Sequence, residues 1–215
     1  MSSKKITITK VQYFFLFLSL FLLPLGCVNY KTLKRQQQFL KAAEKGDLLQ
    51  VQHFLNEGVD VEIELSNRTA LSFAAGNGHL EVMEYLIKKN ASIKTFGSKR
   101  SPLAWAITGK VISRNTGRHL SAIKLLLDHG ADPDHKGAEI TFLPGCIYAG
   151  EIEVVELLMR YGANPFSKDH QGRTAINMMN KDKYKEYRPL IEKAIKQKRW
   201  ELQSPIKSPK PLMQN

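Results

Sequence analysis

A small motif recurs four times along the chain, and its spacing limits the fold more than any other feature. Gly58-Val59-Asp60, Asn90-Ala91-Ser92, Gly130-Ala131-Asp132 and Gly162-Ala163-Asn164 follow one another at separations of 32, 40 and 32 residues. A hydroxyl residue placed just before an apolar pair keeps the same rhythm at Thr69, Ser101, Thr141 and Thr174, separated by 32, 40 and 33 residues. A fixed period of this size marks an array in which each unit buries its apolar face only by stacking on its neighbours. Two marks of different chemistry in one register therefore predict a pile of like units.

Each period reads alike: a Thr or Ser helix cap, a short stretch of small residues, a break, and a longer amphipathic helix ending at Gly or Asn. The clearest copy runs Thr69-Ala70-Leu71-Ser72-Phe73-Ala74-Ala75-Gly76-Asn77-Gly78-His79-Leu80-Glu81-Val82-Met83-Glu84-Tyr85-Leu86-Ile87. The hydroxyl caps the first helix, Pro102 is preorganised for a first helical turn, and alanines let the short helix pack closely. Val82, Tyr85 and Leu86, and likewise Val154, Val155, Leu157 and Leu158, fall at helical spacing and face the stack. Gly58, Gly130 and Gly162 are placed to end the second helix in the left-handed conformation.

These residues together resemble the ankyrin repeat, over about residues 37–195. The resemblance implies an all-α solenoid of helix-turn-helix pairs with short hairpin loops. The expected units are an N-cap at 37–64, repeats at 65–96, 97–136 and 137–168, and a C-cap at 169–202. The 8-residue expansion in the second repeat is expected to emerge as a loop over Gly109–Thr116, between that repeat's two helices. The C-cap loses the Gly-His-Leu break, and its second half, Tyr184 to Trp200, is polar and basic as an outward-facing end must be. Residues 203–215, with Pro205, Pro209 and Pro211 among lysines, read as a disordered tail.

The first 26 residues read as an address. Lys4, Lys5 and Lys10 precede an apolar run from Val11 to Leu23, which matches the charged and hydrophobic regions of an export signal. Its end, Leu23-Pro24-Leu25-Gly26-Cys27, resembles the lipobox of bacterial lipoproteins, with Pro24 where the family usually has leucine. That resemblance implies lipid attachment at Cys27, a polar spacer to residue 36, and an outer-membrane lipoprotein facing the periplasm. Inner-membrane attachment, an uncleaved membrane helix and an ordinary cleaved signal are the alternatives.

The formal charge of +12 is distributed unevenly. Residues 27–180 hold 19 bases and 16 acids, whereas residues 181–215 hold 10 bases and 4 acids. No basic stripe interleaved with aromatics runs along the repeats, so nucleic acid is not an expected partner. An apolar content of 43% with 24% charged residues argues against disorder. Of the two cysteines, Cys27 belongs to the processing site, which leaves Cys146 without a disulfide partner; at an inner-helix position it should be buried and inert.

No phosphate loop, serine elbow or zinc-protease helix occurs, so no enzyme activity, cofactor, metal or small-molecule substrate is expected. His79 and His119 sit at the helix break, where the family commonly has histidine for local hydrogen bonding. Asp132-Pro133-Asp134-His135 offers oxygen and nitrogen atoms, but it lies in a loop where aspartate is ordinary. What a stack leaves exposed are its hairpin tips and the polar side of its inner helices. Leu65, Ser66, Arg68, Ser98, Arg100, Ile140, His170 and Arg173 belong to the tips, and Trp105 and Tyr148 on inner helices are the aromatic anchor candidates, with core packing the alternative for Trp105. Arginine directly before the hydroxyl at 68, 100 and 173 suits an acidic partner. The expected function is a monomeric, membrane-anchored protein-binding module, in a narrower form an inhibitor or immunity protein neutralising a toxic envelope enzyme such as a secreted lipase. A general envelope scaffold or stress-protection protein is the alternative, and a metal-dependent or enzymatic stress protein is the competing class.

Overall fold

The computed structural model describes residues 30–94, 101–113, 116–134, 142–169, 171–179 and 182–203. Cys27 and the tail beyond residue 203 lie outside them. Helical pairs follow in chain order: α1 (residues 30–45) with α2 (Leu48–Asn56), α3 (Ala70–Asn77) with α4 (Leu80–Lys88), α5 (Pro102–Ser113) with α6 (Thr116–Asp128), and α7 (Phe142–Ala149) with α8 (Ile152–Arg160). A short α9 (Ala175–Met179), a 3-10 segment (Asp182–Tyr187) and α10 (Arg188–Gln203) close the array. The architecture is an all-α ankyrin-repeat solenoid.

Local chemistry sets each boundary. Thr69, Ser101 and Thr174 accept the backbone N–H of Ser72, Ala104 and Asn177 at 3.2, 3.2 and 3.1 Å, satisfying donors that the first helical turn leaves open. At the other end of the pair, Gly58, Asn90, Gly130 and Gly162 all adopt positive φ, between 64° and 87°. There the following N–H turns back to the helix, as Ala91 N–H does to the Leu86 carbonyl at 3.0 Å. Between α2 and α3 the chain makes a hairpin, β1 (Glu64–Leu65) antiparallel to β2 (Arg68–Thr69). Ser66 and Asn67 at its tip have φ of 53° and 60°, the two left-handed residues of a type I′ turn.

Apolar residues form one continuous seam through the pairs. Phe39, Leu71, Met83, Leu86, Leu103, Ile123, Leu126, Leu143, Ile147 and Leu158 are fully buried. Each such side chain is worth about 1.5–3 kcal/mol of burial. Polar ties cross the same joints. His79 Nε2 donates to the Glu44 carbonyl at 3.0 Å, and His119 Nε2 to the Gly76 carbonyl at 3.1 Å, each reaching the inner helix of the preceding unit. At the next joint Glu151 stands in the histidine's place, and buried Lys110 donates to its Oε2 at 2.8 Å. On the loop side Glu62 accepts from Ser92 N–H at 2.6 Å, and Asp134 accepts from Asn164 N–H at 2.9 Å.

Three expectations need correction. The described part of the expansion expected over Gly109–Thr116 is helical: Gly109–Ser113 continue α5, and Thr116 opens α6, while residues 114 and 115 lie outside the described residues. Lys110, Val111 and Ile112 carry the helix on, and the buried Lys110 ammonium reaches the half-buried Glu151 carboxylate. The polar spacer is likewise helical from residue 30, since no Gly or Pro interrupts residues 30–45. The C-terminal cap is less outward-facing than its composition suggests, because Tyr184, Tyr187 and Ile191 are buried against the stack.

Gly109 shows how tightly the inner helices approach. A Cβ there would lie 2.1 Å from the Gly76 carbonyl and 2.8 Å from His119 Nε2, whereas one at Gly117 would meet open space. Gly109→Ala should therefore destabilise the fold by about 1–3 kcal/mol in urea unfolding, while Gly117→Ala should leave the midpoint unchanged or slightly raised.

Candidate functional site

The hairpins and inner helices bring the arginines and aromatics of the sequence together, though not as free groups. Arg68 leaves β2 and runs between two rings, its guanidinium carbon 4.0 Å from the centroid of Phe73 on α3 and 4.0 Å from that of Trp105 on α5. Both faces of the cation are thus covered, by its own repeat and by the next. Gly76 makes room for it, since a Cβ at that position would lie 3.1 Å from Arg68 Nη2 and 3.7 Å from Trp105 Cβ. Burial lowers the Arg68 pKa from its ordinary value and the Glu44 carboxylate opposes that fall. Arg68 Nε is buried with no hydrogen-bond partner among the described residues.

A second stack of the same kind lies toward the C-terminal cap. The Arg173 guanidinium carbon sits 5.1 Å from the Tyr148 ring centroid, and its Nε donates to Asp169 Oδ2 at 2.7 Å. Asp169 Oδ1 also accepts from the N–H groups of Gln171 and Arg173, each at 2.9 Å, so this one carboxylate ties both to the start of the unit. Burial alone would raise the Asp169 carboxyl, but the Arg173 side chain and the two N–H groups outweigh it and hold it below its ordinary 3.8. Tyr148 keeps 59% of its surface exposed and Leu65 keeps 43%. Ser66 is exposed at the tip of the first hairpin. Ser98, Arg100, Ile140 and His170 lie outside the described residues.

Phe73 and Asp169 complete this surface and were not among the residues expected from the tips. Phe73 had a signal: it falls four residues after the cap Thr69, as Trp105 does after Ser101. Asp169 opens the last unit four residues before Arg173, an ion-pair spacing visible in the chain.

The other chemistry-bearing groups have structural duties. Cys146 is 2% exposed, and burial, reinforced by Glu151, pushes its thiol up to about 12, far from the thiolate a nucleophile needs. Asp132 Oδ1 accepts from Asp134 N–H at 2.9 Å, and Asp134 is engaged with Asn164, so both aspartates hold loop backbone. No group of three or more His, Cys, Asp or Glu among the described residues is arranged to hold a metal ion.

Residues 39–137 are ankyrin repeats, matched by that family's model in three copies. The chain is 28% identical over 156 residues to the ankyrin repeat and KH domain-containing protein mask-1 of Caenorhabditis elegans, covering 67% of this chain and 6% of that protein. It is 28% identical over 142 residues to an ankyrin repeat-containing protein of Treponema pallidum, covering 65% of this chain and 46% of that one. With the ankyrin repeat and SOCS box protein 11 of Mus musculus it shares 29% identity over 118 residues, covering 54% and 34%. The chain thus spans less than half the length of these curated relatives. Ankyrin repeats of this kind indicate a protein–protein interaction module.

The Asp169 cluster has a pH signature. Its carboxylate is held below the ordinary value, so its contribution to stability is complete above 3.8 and is lost as the pH falls through the lowered native value. In denaturant titrations between pH about 7 and about 2, Asp169→Asn should flatten the loss of stability on the acid side.

Proposed function

We propose that the protein binds one protein partner on its inner-helix side while its N-terminal segment holds it at a membrane of the bacterial cell envelope, through lipid on Cys27 and facing the periplasm. The single observation that carries the binding half is Arg68 fixed between Phe73 and Trp105. The sandwich spans two repeats, so a partner meets a surface ordered before contact and loses little affinity to ordering it. Exposed Tyr148 beside Arg173 and exposed Leu65 extend the same side with aromatic and apolar area. In its narrower form the partner is a toxic envelope-acting enzyme, such as a secreted lipase, which the rigid surface covers; steric inhibition of that kind asks no catalytic step of this chain. The relative in Treponema pallidum supports a bacterial setting for such repeats.

The binding half is tested with wild-type protein and the Arg68→Glu, Trp105→Ala double variant, each used as bait for envelope proteins. The expected result is a defined partner recovered by the wild type and lost from a variant of equal helical content. Equal recovery by both would remove this side from the interface. For the tether, Cys27→Ala should abolish incorporation of labelled fatty acid and release the protein from membranes. Label persisting on the variant would overturn the assignment.

A further inference from the structure

The first helix carries a charge pattern that neither the stacking nor the partner surface uses. Residues 30–45 contain five bases and one acid, whereas residues 46–180 hold fourteen bases and fifteen acids. Between the N-terminal leader and the C-terminal region, the positive excess is therefore concentrated in α1. Arg35 is paired with Glu57. Lys31, Lys34, Lys41 and Lys45 are exposed, and none of the four has an ion-pair partner among the described residues.

Helical geometry puts them on one side. At about 100° per residue, Lys34, Lys41 and Lys45 fall within an arc of about 40°, with Lys31 and Tyr30 at its flanks. Phe39, Leu40 and Ala43, which are buried, lie on the opposite side and fasten the helix to the stack. The lysines extend over about 21 Å of helix. Tyr30, 67% exposed, stands at the start of this face, the aromatic type favoured where water meets lipid.

We propose that this outward face of α1 docks on an anionic lipid bilayer, so that the first unit of the array lies against the membrane and the later repeats project away from it. Two observations select a bilayer. The apolar run Val11–Leu23 ends only seven positions before the helix described from residue 30, so a membrane contact made there leaves α1 within reach of the headgroups. The unpaired lysines complement anionic headgroups, each near such a surface strengthening the association about fivefold. The basic face of α10 lacks the first feature and interleaves Glu192 with Lys193 and Lys196. The proposal rests on the membrane tether of the preceding section for its geometry, and adds a charge-dependent contact to it.

The test uses the full chain as isolated from membranes of the cells that make it, added to vesicles of phosphatidylcholine alone or of phosphatidylglycerol with phosphatidylcholine. Flotation is measured together with the rate at which a water-soluble amine reagent modifies each lysine, with exposed Lys88 and Lys193 as references. The expected result is flotation with both vesicles and labelling of Lys34, Lys41 and Lys45 slowed at least about fivefold on the anionic ones, reversed by high salt. Flotation with both and equal labelling overturns the docking and leaves the tether standing. Flotation with anionic vesicles only, with the lysines protected, supports the docking and overturns the tether. Flotation with neither overturns both.

Discussion

Neighbouring inner helices in this protein approach until backbone meets backbone, and everything else in the array follows from that distance. Gly109 of α5 faces the Gly76 carbonyl with no room for a methyl group between them. Such an approach demands small residues along the touching faces, which is why α3 is built from Ala70, Ala74 and Ala75 around Leu71. It also sets the task of the longer outer helices, whose Val82, Met83 and Leu86, and Val154, Val155 and Leu158, fill the volume behind. The histidine ties to Glu44 and Gly76 act within this frame: they satisfy carbonyls in the last turns of the inner helices.

The repeat was legible because its marks are local. A hydroxyl cap, a left-handed Gly or Asn and a helix-spaced apolar stripe each have a mechanical cause within a few residues, so each is written in the chain where it acts. What depends on contacts between units was not. The eight added residues of the second repeat look like a loop insertion until Lys110 is seen to meet Glu151, 41 positions away. Residues 30–36 look like a spacer by polarity, yet Lys, Leu, Arg and Gln are also good helix formers, and once Phe39 and Leu40 anchor the following turn the helix runs back to residue 30. The buried tyrosines of the terminal cap were concealed by the lysines around them.

The candidate surface was legible in part and for a related reason. Arg68, Trp105, Tyr148 and Arg173 were picked out one by one from their places in the unit, but their pairing across units required the fold. The pairing changes what the arginines are. A guanidinium between two rings is a structural plate as well as a charge, and with both faces covered it is only half-exposed. Rigidity on this side therefore comes from the same residues that give it polarity.

The joint between the second and third repeats differs in kind from those before it. An imidazole N–H donating to a carbonyl, at His79 and His119, gives way there to a buried ammonium facing a carboxylate. An ion pair removed from water is costly to separate yet adds little net attraction over an apolar contact. In a linear array each boundary is its own cooperative link. The third boundary of the array is thus the one whose link depends on the charge of both its partners, while the two before it depend on a ring and a main-chain carbonyl.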